Sequence, residues 1–276
     1  MSTQGDLPIS YVGRHAVVAG GGGDGMGAAA ARVLRDLGAR VTALDLKEPG
    51  VGGADAFIRT DLSSPQTIDE TVDRLEGPVD ALFHCQGVAG SREGTPPGLV
   101  MAVNFLGVRH LTDRLMPQMP PGSAVVSIAS AGGLGWRSRR AEIDELLATS
   151  DFDSGMRWVE KQADALLARA FPDTYAFSKQ ALIAWTMWRC ADAVRQGVRM
   201  NVTSPGSTQT TMEAEFPADG VTFMNQPSGR GSTPEEQAWP VVFLNSPAAS
   251  YVNGANLVVD GGNSAARTFG ALGKST

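Results

Sequence analysis

The chain has 276 residues, 42% of them hydrophobic and 19% charged, which suits a globular protein that buries a large core. Its net charge of −6, without a basic stripe, excludes a typical nucleic-acid-binding protein. No run of 18 apolar residues occurs, which excludes a membrane-spanning helix, and the two cysteines lack the spacing of a metal site.

Short apolar runs alternate along the chain with longer segments of helical periodicity. The runs predict strands at 15–19, 40–44, 81–85, 124–128, 199–203 and 256–259, with a further short strand before Asp61. Most runs are apolar throughout, which is typical of parallel strands covered on both faces. The segments between them predict helices at 26–37, 65–75, 99–116, 174–195 and 234–244. This alternation predicts an α/β fold: a single Rossmann-type, doubly wound parallel sheet with helices on both faces, in one domain spanning 1–276.

Two long segments interrupt the alternation. Residues 134–172 exceed a simple connection and contain a predicted helix at 157–170, which makes them a helical insertion before the next long helix. Residues 207–232 are rich in Gly, Pro, Ser and Thr and are predicted to form a substrate loop. The ends, 1–12 and 263–276, are predicted to be poorly ordered.

A glycine-rich segment follows the first predicted strand and opens the first predicted helix. It reads Gly20-Gly21-Gly22-Gly23-Asp24-Gly25-Met26-Gly27. Glycine allows a sharp turn and close approach to a pyrophosphate, and the helix N-terminus adds N–H groups and a partial positive charge. The strand–glycine–helix order favours a nucleotide site over a plain tight turn.

The ends of the next three strands carry polar residues where open α/β sheets bind ligands. Asp45 ends the second strand, where a carboxylate can accept hydrogen bonds from both ribose hydroxyls of an adenosine and would repel a 2′-phosphate. This predicts NAD as the cofactor, although nearby Lys47 keeps NADP open as an alternative. Asp61-Leu62 and Gln86-Gly87 follow the third and fourth strands.

A tyrosine and a lysine lie four residues apart, on one face of a predicted helix. Tyr175 is a poor base on its own, and the ammonium of Lys179 is expected to lower its pKa so that it exchanges a proton with an alcohol. Ser130 follows the strand at 124–128, where its hydroxyl can orient a substrate oxygen. The three residues predict alcohol/ketone chemistry.

With these motifs in order, the chain resembles the short-chain dehydrogenase/reductase family from about residue 12 to residue 263. The glycine segment matches the family's Thr-Gly-x-x-x-Gly-x-Gly, with Gly20 in place of Thr. The Ser–Tyr–Lys set matches Ser130, Tyr175 and Lys179, and the family's helix Asn matches Asn104. The family's Asn-Asn-Ala-Gly appears as His84-Cys85-Gln86-Gly87, a departure that puts the usual support of the central strand in doubt.

The resemblance implies roles for residues across the site. Asn104 would hold a water that continues a proton relay from Lys179, and Lys179 would also bond the nicotinamide ribose. Segment 201–210 resembles the part beside the nicotinamide, with Thr210 at the carboxamide, and 246–254 and 258–262 resemble the C-terminal hallmark. The implied cofactor-binding residues are Gly21, Asp24, Gly25, Met26, Gly27, Asp45, Asp61, Leu62, Gln86, Gly87, Tyr175, Lys179, Pro205, Gly206, Thr208 and Thr210.

The gap of 45 residues between Ser130 and Tyr175 is longer than in ordinary members. The insertion resembles that of a bacterial group that includes 3-alpha-hydroxysteroid dehydrogenase/carbonyl reductase and coniferyl-alcohol dehydrogenases. Extra helices in that group alter subunit packing beside the catalytic helix. The resemblance therefore implies a homo-oligomer, with a homodimer favoured over a homotetramer.

These observations predict an NAD(H)-dependent oxidoreductase acting on a hydrophobic secondary alcohol or ketone, either steroid-like or aromatic/terpenoid. Two alternatives are an NADP-dependent carbonyl reductase and an NAD-binding protein without chemistry. Seven apolar side chains from the insertion and the later loop either wall the substrate cleft or pack as core: Trp136, Met156, Trp158, Met212, Phe216, Phe223 and Met224. The low cysteine count and the absence of a signal peptide predict a cytoplasmic location.

Overall fold

A computed structural model describes residues 9–50, 52–90, 95–167, 173–216 and 218–270. Seven strands form one parallel sheet in the order β3-β2-β1-β4-β5-β6-β7. They are β1 (His15–Ala19), β2 (Arg40–Asp45), β3 (Ala56–Arg59), β4 (Ala81–His84), β5 (Ala124–Ile128), β6 (Arg199–Pro205) and β7 (Asn256–Val259). The predicted doubly wound parallel sheet is confirmed. Its strand order reverses between β1 and β4, and such a switch point opens a crevice at the carboxyl ends of the strands.

Helices cover both faces of the sheet. They are α1 (Met26–Asp36), α2 (Pro65–Arg74), α3 (Pro97–Met101), α4 (Gly107–Leu115), α5 (Arg140–Leu147), α6 (Phe152–Leu167), α7 (Asp173–Arg195), α8 (Ala218–Met224), α9 (Pro234–Asn245) and α10 (Asn263–Thr268). Helices α1 and α9 pack in the core on one face, and α2, α4, α5, α6 and α7 contribute to the core on the other. Strands β1, β4, β5 and β6 are fully buried between these layers, which explains their apolar runs.

The predicted helix at 99–116 is interrupted by one wider turn. A π-helical turn at Ala102–Leu106 joins α3 to α4 and contains Asn104. Such turns insert one extra residue and redirect nearby side chains, and they often occur at functional sites. At Gly107 a side chain would collide with the carbonyl of Leu62, so the glycine allows the helix to approach the loop after β3.

The insertion contains two helices, α5 and α6, where the sequence predicted one. Helix α6 begins at Phe152, five residues before the predicted start at Arg157, and the predicted end at Ala170 lies outside the described residues. Arg109 of α4 anchors the insertion by donating hydrogen bonds to the carbonyl oxygens of Thr149 (3.2 Å) and Asp151 (2.6 Å). A buried guanidinium is thereby satisfied by the turn between the two helices.

The prediction of poorly ordered ends is wrong for several residues on each side. Tyr11 is fully buried and donates to the carbonyl oxygen of Val242 at 2.7 Å. At the other end, α10 forms because Asn263 is buried and bonds the carbonyl oxygens of Phe223 and Gln226. Within the described ranges, none of the helices combines the length and apolar character that crossing a bilayer requires.

Candidate active site

The glycine segment turns sharply between β1 and α1. Gly20 and Gly23 have φ angles of 79° and 66°, in the left-handed region that favours glycine. A side chain at Gly22 would collide with the carbonyl of Lys47, whereas the space around Gly25 is open. Gly25 caps α1 without a side-chain hydrogen bond, so the first N–H groups of the helix are free of a side-chain partner. This geometry fits a pyrophosphate.

A cleft of about 370 Å³ lies at the carboxyl ends of β1, β2, β3 and β4, at the switch point of the sheet. The predicted cofactor residues that line it are Asp24, Gly25, Met26, Gly27, Asp45, Asp61, Leu62, Gln86, Gly87 and Thr210. Among the described residues, no group of three or more His, Cys, Asp or Glu side chains is arranged to hold a metal ion.

Six other predicted cofactor residues are not part of the lining of this cleft: Tyr175 and Lys179, described below, and Gly21, Pro205, Gly206 and Thr208. Gly21 is buried beneath the turn against Val18 and Ala43. Gly206 packs against Asp260, and neither Gly206 nor Pro205 lines the cleft. The side chain of Thr208 pairs with Ser232 at 3.1 Å, because the backbone at Thr208 forms a β-bridge with that residue. The structure therefore does not place Gly21, Pro205, Gly206 or Thr208 at the cleft surface.

Sequence reasoning missed several lining residues, namely Leu46, Thr60, Val88, Val103, Thr211 and Glu215. Leu46, Thr60 and Val88 are next to residues that were predicted at strand ends. Their position at the end of a strand could therefore have identified them as lining residues. Val103 precedes Asn104 in the π-helical turn, and no sequence pattern marks that turn. Thr211 reaches across the cleft, and its hydroxyl lies 3.5 Å from the carboxylate of Asp24 in the glycine turn.

The carboxylate of Asp45 stands at the end of β2 beside the glycine turn. It accepts hydrogen bonds from the backbone N–H of Gly22 at 3.0 Å and of Lys47 at 3.1 Å. A carboxylate offers about four acceptor positions, so two remain for ribose hydroxyls. Lys47 lines the same end of the cleft. Its Cδ atom lies 3.9 Å from the point where a Cβ atom would stand if residue 23 were not a glycine.

The structure brings Ser130, Tyr175 and Lys179 together. Ser130 caps the short turn after β5 by accepting a hydrogen bond from the N–H of Gly132 at 3.1 Å, and its hydroxyl lies close enough to Tyr175 to influence the pKa of the phenol. Lys179, one turn along α7, places Nζ over the Tyr175 ring, 5.7 Å from the ring centre. The same Nζ donates to the carbonyl oxygen of Ile128 at 3.0 Å. The spacing of four residues therefore places Tyr175 and Lys179 on one face of α7.

The expected lowering of the Tyr175 pKa by Lys179 is not found. Burial raises the pKa of Tyr175 from its ordinary value, and the hydrogen bond from Ser130 lowers it only in part. Burial also lowers the pKa of Lys179 to about 8, against an opposing effect of Cys85. Removal from water destabilises the charged form of both side chains, and this effect exceeds their mutual interaction.

Asn104 supports this face from the π-helical turn. Its amide accepts from the N–H of Val88 at 2.9 Å and donates to the carbonyl oxygen of Val88 at 3.0 Å. It also donates to Ser178 Oγ at 3.0 Å, and Ser178 donates to the carbonyl oxygen of Tyr175 at 2.7 Å. Ser178 was missed, although its position three residues after Tyr175 was the available signal.

A side chain at Gly87 would lie 3.5 Å from both Asn104 Oδ1 and Lys179 Nζ, so these groups meet at the cleft.

His84 and Gln86, which differ from the family's usual residues, are held by hydrogen bonds of their own. Thr112 donates to the carbonyl oxygen of Val108, so it accepts from His84 Nε2 at 2.8 Å. His84 Nδ1 then accepts from the Gln86 amide at 3.4 Å. Burial lowers the pKa of His84 to about 3, so the ring is neutral. The sequence left open what supports the central strand at this position. In the structure, His84 connects β4 to α4 through its hydrogen bond to Thr112.

The seven apolar side chains divide between packing and cleft. Trp158 stacks on Phe177 at 5.8 Å, and Trp136 borders a separate groove with Trp188, so these two pack the insertion onto α7. Met156 approaches Gly98 of α3, Phe223 packs on Arg267, and Met224 borders a polar pocket beside α9. Two of the seven reach the site: Met212 lines the cleft, and Phe216 meets the Tyr175 ring edge to face at 5.4 Å.

Comparison with known proteins gives a consistent set of relatives. A family model described as enoyl-(acyl carrier protein) reductase matches residues 21–141 and 163–264. Coniferyl-alcohol dehydrogenase of Pseudomonas sp. (strain HR199 / DSM 7063) is 32% identical over 255 residues, covering 89% of this chain and 95% of the relative. The 3-alpha-hydroxysteroid dehydrogenase/carbonyl reductase of Comamonas testosteroni is 31% identical over 261 residues, with the same coverage of 89% and 95%.

Solved structures share the fold. The 3-alpha-hydroxysteroid dehydrogenase from Pseudomonas sp. B-0831, complexed with NADH, superposes with a TM-score of 0.75 at 28% identity, covering 94% of this chain and 100% of that one. A short-chain dehydrogenase from Burkholderia cenocepacia J2315, in complex with NADP, has a TM-score of 0.69 at 25% identity, covering 92% and 99%.

Proposed function

The chain belongs to the short-chain dehydrogenase/reductase family of nicotinamide-dependent oxidoreductases, and from that premise we propose that it interconverts a hydrophobic secondary alcohol and its ketone with NAD(H). The observation that carries the proposal is the position of Lys179 Nζ, which lies 5.7 Å from the centre of the Tyr175 ring and 3.5 Å from where a side chain at Gly87 of the cleft would lie, with Ser130 close enough to influence the pKa of the phenol. A protein that only bound NAD would have no need of this pairing.

The cofactor would lie across the strand ends. The free N–H groups of α1 would bind the pyrophosphate, Asp45 the adenosine ribose, and Lys179 the nicotinamide ribose. Asp61, Leu62, Gln86 and Gly87 would line the adenine and ribose contacts, and Thr210 would contact the carboxamide. The remaining predicted contacts, Gly21, Pro205, Gly206 and Thr208, would shape the backbone around the site.

Bound NAD⁺ supplies a hydride acceptor at nicotinamide C4 and a positive charge near the phenol. Ser130 would hold the substrate oxygen by hydrogen bonding, and Tyr175 would take the alcohol proton in oxidation or return it in reduction. A protonated Lys179 would stabilise the phenolate, and Asn104 would position the water that continues the relay. The raised pKa of Tyr175 makes added positive charge necessary for proton removal near neutral pH.

The proposed substrate is an apolar alcohol because the two loop side chains at the site, Met212 and Phe216, are apolar. Two relatives are named for coniferyl alcohol and for 3-alpha-hydroxysteroids, and others for cis-4-hydroxycyclohexanecarboxylate and (+)-borneol. Each of these alcohols contains a ring. A galactitol 2-dehydrogenase, which acts on an open-chain polyol, is a relative at 27% identity.

Oxidation tests the proposal directly. The chain should form NADH, followed at 340 nm, when supplied with NAD⁺ and an apolar secondary alcohol such as cyclohexanol. Tyr175→Phe keeps the ring and its contact with Phe216 but removes the proton-transferring hydroxyl, so turnover should fall by at least about a hundredfold while NADH still binds. Retained turnover in this variant would remove Tyr175 from its proposed role.

An NADP-dependent carbonyl reductase is the second candidate. Lys47 lines the adenosine end of the cleft, where an ammonium favours a 2′-phosphate, and one structural neighbour is a complex with NADP. The carboxylate of Asp45 opposes this because it lies at the same edge and would repel the phosphate. Titration of the protein with NADH and NADPH distinguishes the two.

We further propose that the whole chain acts as one domain within a homodimer or homotetramer in the cytoplasm. Apolar side chains are exposed on α9 and β7: Trp239, Phe243, Leu257 and Val258. Such a surface on adjacent elements is typical of an interface between subunits. Sedimentation equilibrium measures the assembly. Free Cys85 and Cys190 are compatible with a reducing compartment.

A further inference from the structure

One short turn carries the two apolar side chains of the later loop that reach the site, Met212 and Phe216. Met212 and Phe216 flank the 3₁₀ turn at Glu213–Glu215, in which the N–H of Phe216 donates to the carbonyl oxygen of Glu213 at 3.0 Å. Because Met212 and Phe216 bracket this turn, the backbone fixes their relative positions. A change in this turn would move both side chains together.

The turn is tied to the rest of the protein at two points. Ser207, two residues after the end of β6, donates a hydrogen bond to the carboxylate of Glu213. The hydroxyl of Thr211 lies 3.5 Å from the carboxylate of Asp24, across the cleft. The turn therefore spans from the glycine segment to the catalytic helix, with attachments on each side of the cleft.

Phe216 lies against the catalytic phenol. Its ring meets the Tyr175 ring at 5.4 Å with an angle of 75° between the planes. Met212 lies near Gly87. Its Cε atom is 3.6 Å from where a Cβ atom at residue 87 would lie, and Asn104 Oδ1 and Lys179 Nζ are each 3.5 Å from the same point. A carbon atom whose oxygen bonds Ser130 and Tyr175 would carry its substituents toward this apolar pair.

We propose that Phe216 is a specificity-determining residue that selects alcohols whose reacting carbon belongs to a ring. This rests on the proposed alcohol/ketone chemistry of the same site. A rigid ring presents a compact apolar edge to the Phe216 face and loses little conformational entropy on binding. An open chain of the same carbon count must freeze several torsions to make the same contact. A polyol would also leave hydroxyl groups against Phe216 and Met212 without hydrogen-bond partners.

The test compares cyclohexanol with 2-hexanol, two secondary alcohols of six carbons that differ in the ring. The wild type is expected to prefer cyclohexanol in kcat/KM by about tenfold or more. In Phe216→Ala this ratio should fall toward one, mainly through loss on the cyclic alcohol. Phe223→Ala is the matched control, since Phe223 lies on the same loop but packs on Arg267, 5.4 Å from its guanidinium, and should leave the ratio unchanged.

Two results would overturn the selection. An unchanged ratio in Phe216→Ala, with kcat/KM preserved on both alcohols, excludes any role of the residue in the reaction. An unchanged ratio in which both values fall by the same factor assigns Phe216 to the positioning of Tyr175 instead. Binding separates selection from chemistry: cyclohexanone and 2-hexanone are titrated by calorimetry into Tyr175→Phe and into the Tyr175→Phe/Phe216→Ala double variant, each with NADH. A preference of Tyr175→Phe for binding the cyclic ketone that disappears in the double variant supports the selection by Phe216. This holds even if the wild type shows no turnover, because absent turnover would contradict only the proposed function.

Discussion

The Nζ atom of Lys179 lies over the ring of Tyr175, 5.7 Å from its centre, and both side chains belong to one face of α7. Lys179 is 3% exposed, and its hydrogen bond goes to the carbonyl oxygen of Ile128. The pair is therefore held in a site that disfavours charge on either group. A protonated lysine that is costly for folding is typical of a site organised for catalysis rather than stability.

We predict that Lys179→Met stabilises the protein near neutral pH while removing turnover. Burial holds the pKa of Lys179 at about 8 in the folded protein, below its ordinary 10.5, so the unfolded chain binds this proton more tightly. The penalty on folding is complete below pH 8 and is lost as the pH rises from about 8 to 10.5. The variant should gain about 2 kcal/mol in the free energy of unfolding at pH 7, after the loss of the Ile128 hydrogen bond.

Urea unfolding at pH 7 and pH 9.5 measures this effect. The advantage of Lys179→Met over the wild type should shrink by about 2 kcal/mol between the two pH values. Lys161→Met removes an exposed lysine from α6 and should follow the wild type at both. An advantage that stays constant with pH would show that the ammonium does not carry the folding penalty.

His84 is predicted to make the protein sensitive to mild acid. Its pKa is lowered by burial to about 3 in the folded protein, whereas the unfolded chain has the ordinary value of 6.5. Protonation therefore favours the unfolded chain as the pH falls from 6.5 toward 3. Between pH 7 and pH 5 this residue alone should remove about 2 kcal/mol from the free energy of unfolding.

The variant His84→Asn isolates that contribution. Asparagine does not titrate, so the loss of stability between pH 7 and pH 5 should be smaller than in the wild type by about 2 kcal/mol. Guanidinium unfolding at the two pH values provides the comparison, whatever the variant costs at pH 7. Equal losses in both proteins would mean that His84 is not the buried neutral group that the bonds to Thr112 and Gln86 indicate.

The fold was predictable because its signals are local and repeated. Apolar runs identified the strands, and the helix predicted at 234–244 begins in the structure at Pro234, where Thr233 and Glu236 form a capping box. The shared face of Tyr175 and Lys179 followed from helical spacing, since residues four apart lie on one side of a helix. These features depend on neighbours along the chain.

Other features depend on which distant surfaces meet. The stacking of Trp158 on Phe177 and the contact of Phe216 with Tyr175 each join residues of different elements, and apolar composition alone fits either core or cleft. The pKa of Tyr175 could not be predicted because the sequence indicated the nearby ammonium but not the degree of burial. The π-helical turn at Asn104 has no sequence signature in this chain.

Arg109 is predicted to fasten the insertion to the body of the protein. Besides two backbone carbonyls, its guanidinium bonds the hydroxyl of Thr149 at 3.0 Å, and the residue is 6% exposed. Arg109→Met should lower the free energy of unfolding by about 3 kcal/mol, because buried acceptors lose their donors together. It should also speed proteolytic cleavage near residues 146–151.

The control is Arg114→Met, which removes an exposed ion pair with Asp69 from the same helix. This variant should lower the free energy of unfolding by less than about 1 kcal/mol. Similar losses in both variants would contradict the anchoring role.

Asp45 is predicted to set the choice between the two nicotinamide cofactors. Asp45→Asn keeps the size of the side chain and its acceptor oxygen but removes the negative charge beside the glycine turn. The affinity for NADH should fall by about tenfold because the ribose hydroxyls lose a charged acceptor. The affinity for NADPH should rise by a similar factor, because the 2′-phosphate is no longer repelled by the carboxylate and lies near Lys47. Fluorescence titration with each cofactor measures both constants. Asp36→Asn makes the same charge change on an exposed position of α1 and should alter neither. If Asp45→Asn leaves the NADH-to-NADPH preference intact, the adenosine sugar is not held by this carboxylate.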